Sequence, residues 1–285
     1  MEELRKGKIL KAGGRFIAMN RATCDRIEGI LPVSFTRSLL QAHLLVVVAE
    51  ISRRPPETRV LDIGGGRDSP FATELPKRNR PTVIALDISE SQITKNQTTD
   101  FGIVADACQG LPLKDASIDV AVTRSLLEHL PDPRVAVGEI ARVLRPNGVC
   151  IHVFPCQFSP FSVLNRIIPA KLARRLLFTF FPEWADTSGF PAFYRYCDPP
   201  AMTRLHRQAG LNLRSLELRY YQSIYYKFFL PFYLLSLVYD LAIYGLGLST
   251  FACQVLMIAE KPAEHVERAR SDCVSARAGS EAHAE

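Results

Sequence analysis

Residues 60–66 read V-L-D-I-G-G-G, a short apolar run closed by three consecutive glycines. Adjacent apolar positions suit a strand buried on both faces, as in a parallel sheet. Gly64, Gly65 and Gly66 carry no Cβ, so the chain after the strand is free to bend sharply and to let a ligand lie against the main chain. Asp62 puts a carboxylate at the carboxyl end of that strand, the edge at which open α/β sheets bind small molecules. A plain strand-to-helix connection uses the same residues, and the glycines alone do not choose between the two.

The rhythm continues along the chain. Further strands are expected at 83–86, 103–105, 118–122 and 149–154. Between them lie a short helix at 71–77, one opened by a capping box at Ser89 and Gln92, and one running from Asp132-Pro133 to about 144. Pro146-Asn147-Gly148 breaks the last of these. Strands alternating with helices at this spacing give a mainly parallel, doubly wound sheet. Upstream, Ser34 caps an apolar-sided helix to about 51, expected on one sheet face and as a cover over the pocket. Downstream, a helix at 199–209 and strands at 211–220 and 251–260 bring the sheet to seven strands. The chain divides accordingly: a loose or short-helical arm and cover (1–57), a core (58–154), a lid rich in Phe, Pro and Arg (155–210), and the last strands (211–261) with an apolar insertion at 223–250. The tail at 262–285 has no apolar period and is expected to be disordered.

Composition narrows the partners. The 285 residues are 47% hydrophobic, enough for one sizeable core. Net charge is +6 and spread along the chain, so nucleic acid is not favoured, while an acidic membrane surface fits. Seven cysteines with no C-x-x-C pair indicate neither a disulfide framework nor a zinc site. The start, M-E-E-L-R-K-G-K, has no apolar core, so the cytoplasm is expected.

Acidic residues end the first three strands: Asp62, Asp87 and Asp106. A carboxylate some 20–25 residues past the first strand suits the two hydroxyls of a ribose, which points to Asp87. Asp106, followed by the small Ala107, is placed to accept from the exocyclic amine of a purine. Together they describe a site for an adenosine-containing cofactor. With V-I-A-L-D-I-S at 83–89, V-A-D-A at 104–107, L-P-L at 111–113, I-D-V-A-V-T-R-S-L-L-E-H-L at 118–130 and E-I-A-R-V-L-R-P-N-G at 139–148, residues 58–154 resemble the class I S-adenosylmethionine-dependent methyltransferases, in particular the group with the ubiquinone and menaquinone methyltransferases.

That resemblance implies a Rossmann-like α/β fold, with an apolar helical insertion before the last strand in this chain, and S-adenosyl-L-methionine as methyl donor. It places Asp62, Gly64, Gly65 and Gly66 at the methionine part, Asp87 at the ribose, Ile88 against the adenine and Asp106 with Ala107 at its amine. Thr123 to Ser125 would border the methyl-transfer site. One departure stands out: Arg67-Asp68-Ser69-Pro70 occupies the place of the usual third glycine. An activated sulfonium needs chiefly in-line positioning, and an oxygen nucleophile also a general base. His129 is the candidate base, with ordering of its own loop as the competing role; Glu128 is expected to be a structural or surface carboxylate, His152 a packed histidine, and His206 a weaker candidate base. Tyr194 and Tyr196 suit either an acceptor pocket or the core. Two other function classes remain open: a non-catalytic partner subunit on the same fold, and a nicotinamide dehydrogenase, which has no use for Asp106 and lacks its third glycine here.

Residues 228–248 are long and apolar enough to raise the question of a membrane span, but Pro231, Asp240, Gly245 and Gly247 interrupt them. Flanking strands that share one sheet put both ends on one side. A helical hairpin or in-plane segment at a bilayer surface is therefore expected, joined by residues 161–184 with Arg166, Lys171, Arg174, Arg175 and Trp184. Such a surface suits a hydrophobic or lipid-linked methyl acceptor; packing of the two segments as a lid or dimer contact is the alternative.

Overall fold

The computed structural model describes residues 2–76, 80–168 and 191–263. The strands are β1 (Arg59–Ile63), β2 (Thr82–Asp87), β3 (Phe101–Val104), β4 (Ile118–Arg124), β5 (Leu144–Pro155), β6 (Asn212–Arg219) and β7 (Gln254–Glu260). They form one sheet in the order β3-β2-β1-β4-β5-β7-β6. β1 to β5 pair in parallel, while β7 runs antiparallel to both β5 and β6. The sheet is thus the expected seven-stranded, mainly parallel one, and its strand order reverses between β1 and β4. In doubly wound sheets that reversal opens a crevice at the carboxyl edge.

Hydrophobic burial explains the two layers. On one face, α3 (Leu39–Ser52) and α4 (Pro70–Thr73) set Leu39, Val47, Ile51 and Phe71 on Val60, Val122, Val149 and Ile151. The apolar-sided helix predicted before β1 therefore packs on the sheet. On the other face, α6 (Pro133–Val143) and α8 (Pro199–Gln208) set Val137, Ile140, Met202 and Leu205 on Leu61, Ala121, Phe154 and Met257. Asp132 caps α6 as read, accepting from the Arg134 N–H at 3.1 Å. A further helix, α7 (Pro160–Ile167), follows β5.

Several local expectations shift. The helix before β1 is two pieces, α2 (Val33–Thr36) and α3, because Arg37 is extended at ψ 132°. The Ser89 capping box does not form: α5 (Glu90–Ile93) is a single turn, and the Ser89 hydroxyl lies against Ser91 at 3.1 Å instead. The Pro146-Asn147-Gly148 break falls within β5 as an irregularity of register, with Asn147 at φ 63°. The expected disordered tail beyond 263 and the lid segment 169–190, with Lys171, Arg174, Arg175 and Trp184, lie outside the described residues.

The largest difference is at the N-terminus. The expected loose or short-helical arm is one helix, α1 (Glu2–Glu28), docked on the insertion between β6 and β7. Asn20 accepts from the Leu230 N–H, Lys227 pairs with Asp25 and Glu28, and the Tyr221 hydroxyl donates to Glu28. Cys24, Phe35, Tyr221, Tyr233, Leu237 and Ile243 make a third core between these pieces. The insertion itself is one helix, α9 (Leu230–Gly245), after a short 3₁₀ turn (Ser223–Tyr226), rather than a helical hairpin. Asp240, read from sequence as an interruption, is its anchor. Fully buried, its carboxylate accepts from the Gln222 and Ser223 N–H groups, the Ser223 hydroxyl and the Gln222 amide.

Hydrogen bonds to a charged acceptor contribute about 1.5–3 kcal/mol each, and donors left unpaired in a core cost further. Asp240→Ala is therefore expected to destabilise the fold by at least about 3 kcal/mol, and Asp240→Asn by less. Chemical denaturation of the three proteins checks this, and a loss below about 1 kcal/mol in the alanine variant would contradict the anchor.

Candidate functional site at the carboxyl edge

The glycine turn leaves β1 tied to β2. The N–H groups of Gly64 and Gly65 both donate to the Leu86 carbonyl, at 2.7 and 3.3 Å. The Gly66 N–H donates to the Asp87 carboxylate at 3.1 Å. Gly64 and Gly66 sit at φ 75° and 47°, where side chains are disfavoured. At Gly65 a Cβ would come within 3.0 Å of the Asp62 carboxylate and 3.2 Å of Ala85.

Asp62 is buried beneath this turn and bonds the Ser69 hydroxyl. Burial pushes its carboxyl up to about 6, with the Ser69 bond opposing. Its observed role is to hold the turn from below. Ser69, part of the stretch that replaces the expected third glycine, is what anchors the far side, while Arg67 and Asp68 point to solvent.

Asp87 accepts from Gly66 through one oxygen and from the Ser89 N–H, at 2.8 Å, through the other. A carboxylate has about four acceptor positions, so lone pairs remain on both oxygens. Ile88 beside it is 56% exposed, a large apolar side chain that no core uses. Asp106 accepts from the Cys108 N–H and the Gln109 side chain, and the adjacent Ala107 is buried. The neighbouring strand ends are in register: Asp62 pairs with Ala85, Asp87 with Val104 and Ile63 with Thr123. The turn, Asp87, Ile88 and Asp106 thus share one edge.

The β4 end splits the expected pair. Ser125 is exposed at φ 52°, and Leu126 covers Gly64 so closely that a Cβ there would lie 3.0 Å away. Thr123 is different: its side chain is fully buried and its hydroxyl lies 2.8 Å from His152 Nδ1, leaving only its backbone at the edge. His152 and His206 are both buried between sheet and α8; as a candidate base His206 is corrected, since the fold turns it into the core.

His129 closes a 3₁₀ turn (Leu127–His129), with its Nδ1 3.0 Å from the Pro191 carbonyl. A carbonyl only accepts, so Nδ1 carries a proton there. Glu128, expected as a structural or surface carboxylate, is buried; burial pushes its carboxyl up to about 8. Its backbone carbonyl accepts from the Phe193 and Tyr194 N–H groups, which fixes the start of the segment carrying Tyr194 and Tyr196. The apolar neighbours in L-L-E-H-L were the signal for burial. A cleft of about 460 Å³ opens nearby, lined by Asp132, Arg134, Gln157, Arg195, Tyr196 and Asp198; none of the glycine-turn residues lines it.

A family model for a methyltransferase domain matches residues 61–152. Among curated proteins, a ubiquinone biosynthesis O-methyltransferase of Neisseria meningitidis is 26% identical over 170 residues, covering 56% of this chain and 66% of that protein. A 27-O-demethylrifamycin SV methyltransferase of Amycolatopsis mediterranei is 37% identical over 99 residues, 32% of this chain and 36% of that one. The chain thus spans less than two thirds of either relative. Among solved structures, a geranyl diphosphate C-methyltransferase of Streptomyces coelicolor has the same fold, with a TM-score of 0.51 at 13% identity over 78% of this chain and 77% of that one.

Glu128 has a thermodynamic consequence. Its carboxyl titrates at about 8 folded against 4.5 ordinarily, so the folded state holds a proton that the unfolded state has released. Stability is fully present below pH 4.5 and falls as pH rises towards 8, by up to about 1.4 kcal/mol per pH unit. Asp62 acts in the same direction but only up to about pH 6. Glu128→Gln is expected to flatten the decline between pH 6.5 and 8, as read by urea denaturation at several pH values; an unchanged slope would contradict a buried neutral carboxyl.

Proposed function

We propose that the chain, whose residues 61–152 match a methyltransferase-domain family model, transfers a methyl group from S-adenosyl-L-methionine to a hydrophobic or lipid-linked small molecule at a membrane surface. The observation that carries the first half is the edge itself. Its Cβ-free turn, spare carboxylate lone pairs on Asp87, exposed Ile88 and Asp106 stand together in register. These fit an adenosine-bearing donor: Asp87 for the ribose hydroxyls, Ile88 for the adenine face, Asp106 and Ala107 for its amine, and Gly64, Gly65 and Gly66 for the methionine part. The donor, when bound, supplies a methyl group on a sulfonium whose charge is lost on transfer. The chain's own work is to hold donor and acceptor in line and to exclude water. His129, its ring set by the bond from Nδ1 to the Pro191 carbonyl, is the group to take the proton of an oxygen nucleophile through Nε2. Glu128, neutral near pH 7, leaves that histidine without a competing charge behind it.

The second half rests on α9. Phe232, Leu235, Val238 and Leu241 are exposed on it, and Phe16 and Met19 of α1 are exposed beside them. The rings of Phe16 and Phe229 lie 6.4 Å apart, which brings α1 against the start of α9. Among the described residues no helix is long and apolar enough to cross a membrane. An in-plane contact on the inner face fits, helped by the net charge of +6 and the exposed Arg15 and Arg26. The relative named for ubiquinone biosynthesis lends support to an apolar acceptor.

Calorimetric titration with S-adenosyl-L-methionine tests the donor. Wild type is expected to bind, and Asp87→Ala to bind at least about tenfold more weakly, the loss of one charge-assisted bond. No binding by folded wild type would leave the non-catalytic partner subunit standing. His129→Gln is expected to lower kcat on a methyl-accepting lipid extract by about 10²-fold or more with little change in donor affinity. Flotation with phosphatidylglycerol vesicles tests the surface: wild type is expected to float, and Leu235→Glu with Val238→Glu to remain below; equal recovery of both would overturn the membrane contact.

A further inference from the structure

Cys150 and His152 stand two residues apart on β5, so both side chains leave the same face of the sheet. His206 faces them from α8, its ring centroid 5.0 Å from that of His152. The Cys150 sulfur and one nitrogen of each histidine lie within 4.8 Å of one another, and all three residues are buried. Sequence spacing gave no hint of this, because the ligand-type residues are 54 positions apart in the chain and no C-x-x-C pair frames them.

The hydrogen bonding of the rings is the decisive feature. His206 Nδ1 lies 2.9 Å from the Met202 carbonyl, which only accepts, so the proton is on Nδ1 and Nε2 has a lone pair. His152 Nδ1 is taken by the Thr123 hydroxyl at 2.8 Å. Both Nε2 atoms are then left in the core without any hydrogen-bond partner. Buried polar atoms are nearly always paired, and orphaned nitrogens on two rings whose centroids are 5.0 Å apart call for a shared partner. Histidine ligands of metals are held in this way, with the other ring nitrogen bonded to an outer group that fixes tautomer and orientation. The Cys150 thiol completes the set, making only a 3.6 Å contact to the Ala259 carbonyl. Met257, opposite His152 across the β5–β7 ladder, and Met202 are buried in the same cluster, so the surroundings are soft and dry.

We propose that Cys150, His152 and His206 form a binding site for one zinc ion that ties α8 to β5. Thiolate and imidazole are the donors zinc takes, with bonds of about 2.3 Å to sulfur and about 2.0–2.1 Å to nitrogen. Ligand atoms in such a tetrahedron stand about 3.3–3.6 Å apart, so side-chain rotation of about an ångström closes the site. Binding releases the Cys150 proton to solvent and places a thiolate on the dication, which removes the cost of an isolated buried anion. The ion would cross-link the sheet to α8, the helix that follows Tyr194 and Tyr196, and the inference is independent of the methyl-transfer reading.

The test uses tag-free full chain, expressed with added zinc and dialysed exhaustively. Elemental analysis is expected to find about one zinc per chain, and zinc-edge X-ray absorption one sulfur at about 2.3 Å with imidazole nitrogens at about 2.0–2.1 Å. Cys150→Ser and His206→Gln, each shown to be folded by circular dichroism, are expected to retain less than about a tenth of the metal, in line with the dependence of affinity on the full ligand set. Wild type without stoichiometric metal, a coordination shell lacking sulfur or imidazole, or undiminished binding in a folded variant would overturn the site. Should neither variant fold, the absorption spectrum of wild type decides between the same two outcomes.

Discussion

The bond from the Gly66 N–H to the Asp87 carboxylate is the contact on which the rest of the edge depends. It joins the exit of β1 to the end of β2, where Gly64 and Gly65 already share the Leu86 carbonyl. Both strands lie in the middle of a parallel sheet whose faces are covered, so neither can slide to relieve a bad fit at the turn. The turn must accommodate the sheet. That requires residues free of Cβ where Asp62 and Ala85 press from beneath and Leu126 from above. Asp62 thereby does its work out of reach of solvent, and the cost of burying its carboxyl is met by a neutralising shift towards about 6 and the bond from Ser69.

A second constraint governs the insertion. A segment as apolar as 228–248 between two paired strands has to return to the sheet it left, and Asp240 determines how. Its carboxylate gathers four donors from Gln222 and Ser223, so the middle of α9 is fastened to the chain just after β6. One side of the helix is thereby committed to α1 and the third core. The opposite side, with Leu235 71% and Val238 67% exposed, is left outward by the same geometry. The proposed membrane contact rests on this outward side.

Sequence legibility followed the range of the interactions concerned. The strand ends and the three acids were legible because a βαβ unit writes its geometry locally: short apolar runs, a Cβ-free turn, an acid at a fixed offset. Asp87 closes β2, where that pattern put it. Long-range pairings were not legible. Thr123 stands two residues from Ser125, yet its hydroxyl is claimed by His152, 29 residues away, and no local signal distinguishes the two. Glu128 was legible only in part: its apolar neighbours marked burial, but not the 191–197 segment whose N–H groups its backbone carbonyl takes. The arm became a helix for a similar reason: its own residues have weak amphipathic pattern, and its docking contacts with Tyr221, Lys227 and Leu230 come from some 200 positions downstream.

Backbone strain clusters around the Glu128 turn. Five residues other than glycine have positive φ among the described residues, and three of them, Ser125, Tyr194 and Tyr196, surround the Glu128 turn. Each such residue costs on the order of 1–3 kcal/mol and persists only where neighbours over-determine it. The neighbours here are identifiable: the Val153 carbonyl takes the Ser125 N–H, and the Glu128 carbonyl takes the Tyr194 N–H. The Tyr194 hydroxyl accepts from Asn165, and Arg134 lies 5.8 Å over the Tyr196 ring. Unstrained loops would have let these side chains turn into solvent. Holding them in the left-handed region instead fixes Ser125 beside the glycine turn and Tyr196 on the wall of the adjacent cleft. For the proposed in-line transfer this matters, since its rate would depend on how little the two reacting partners must still move once bound.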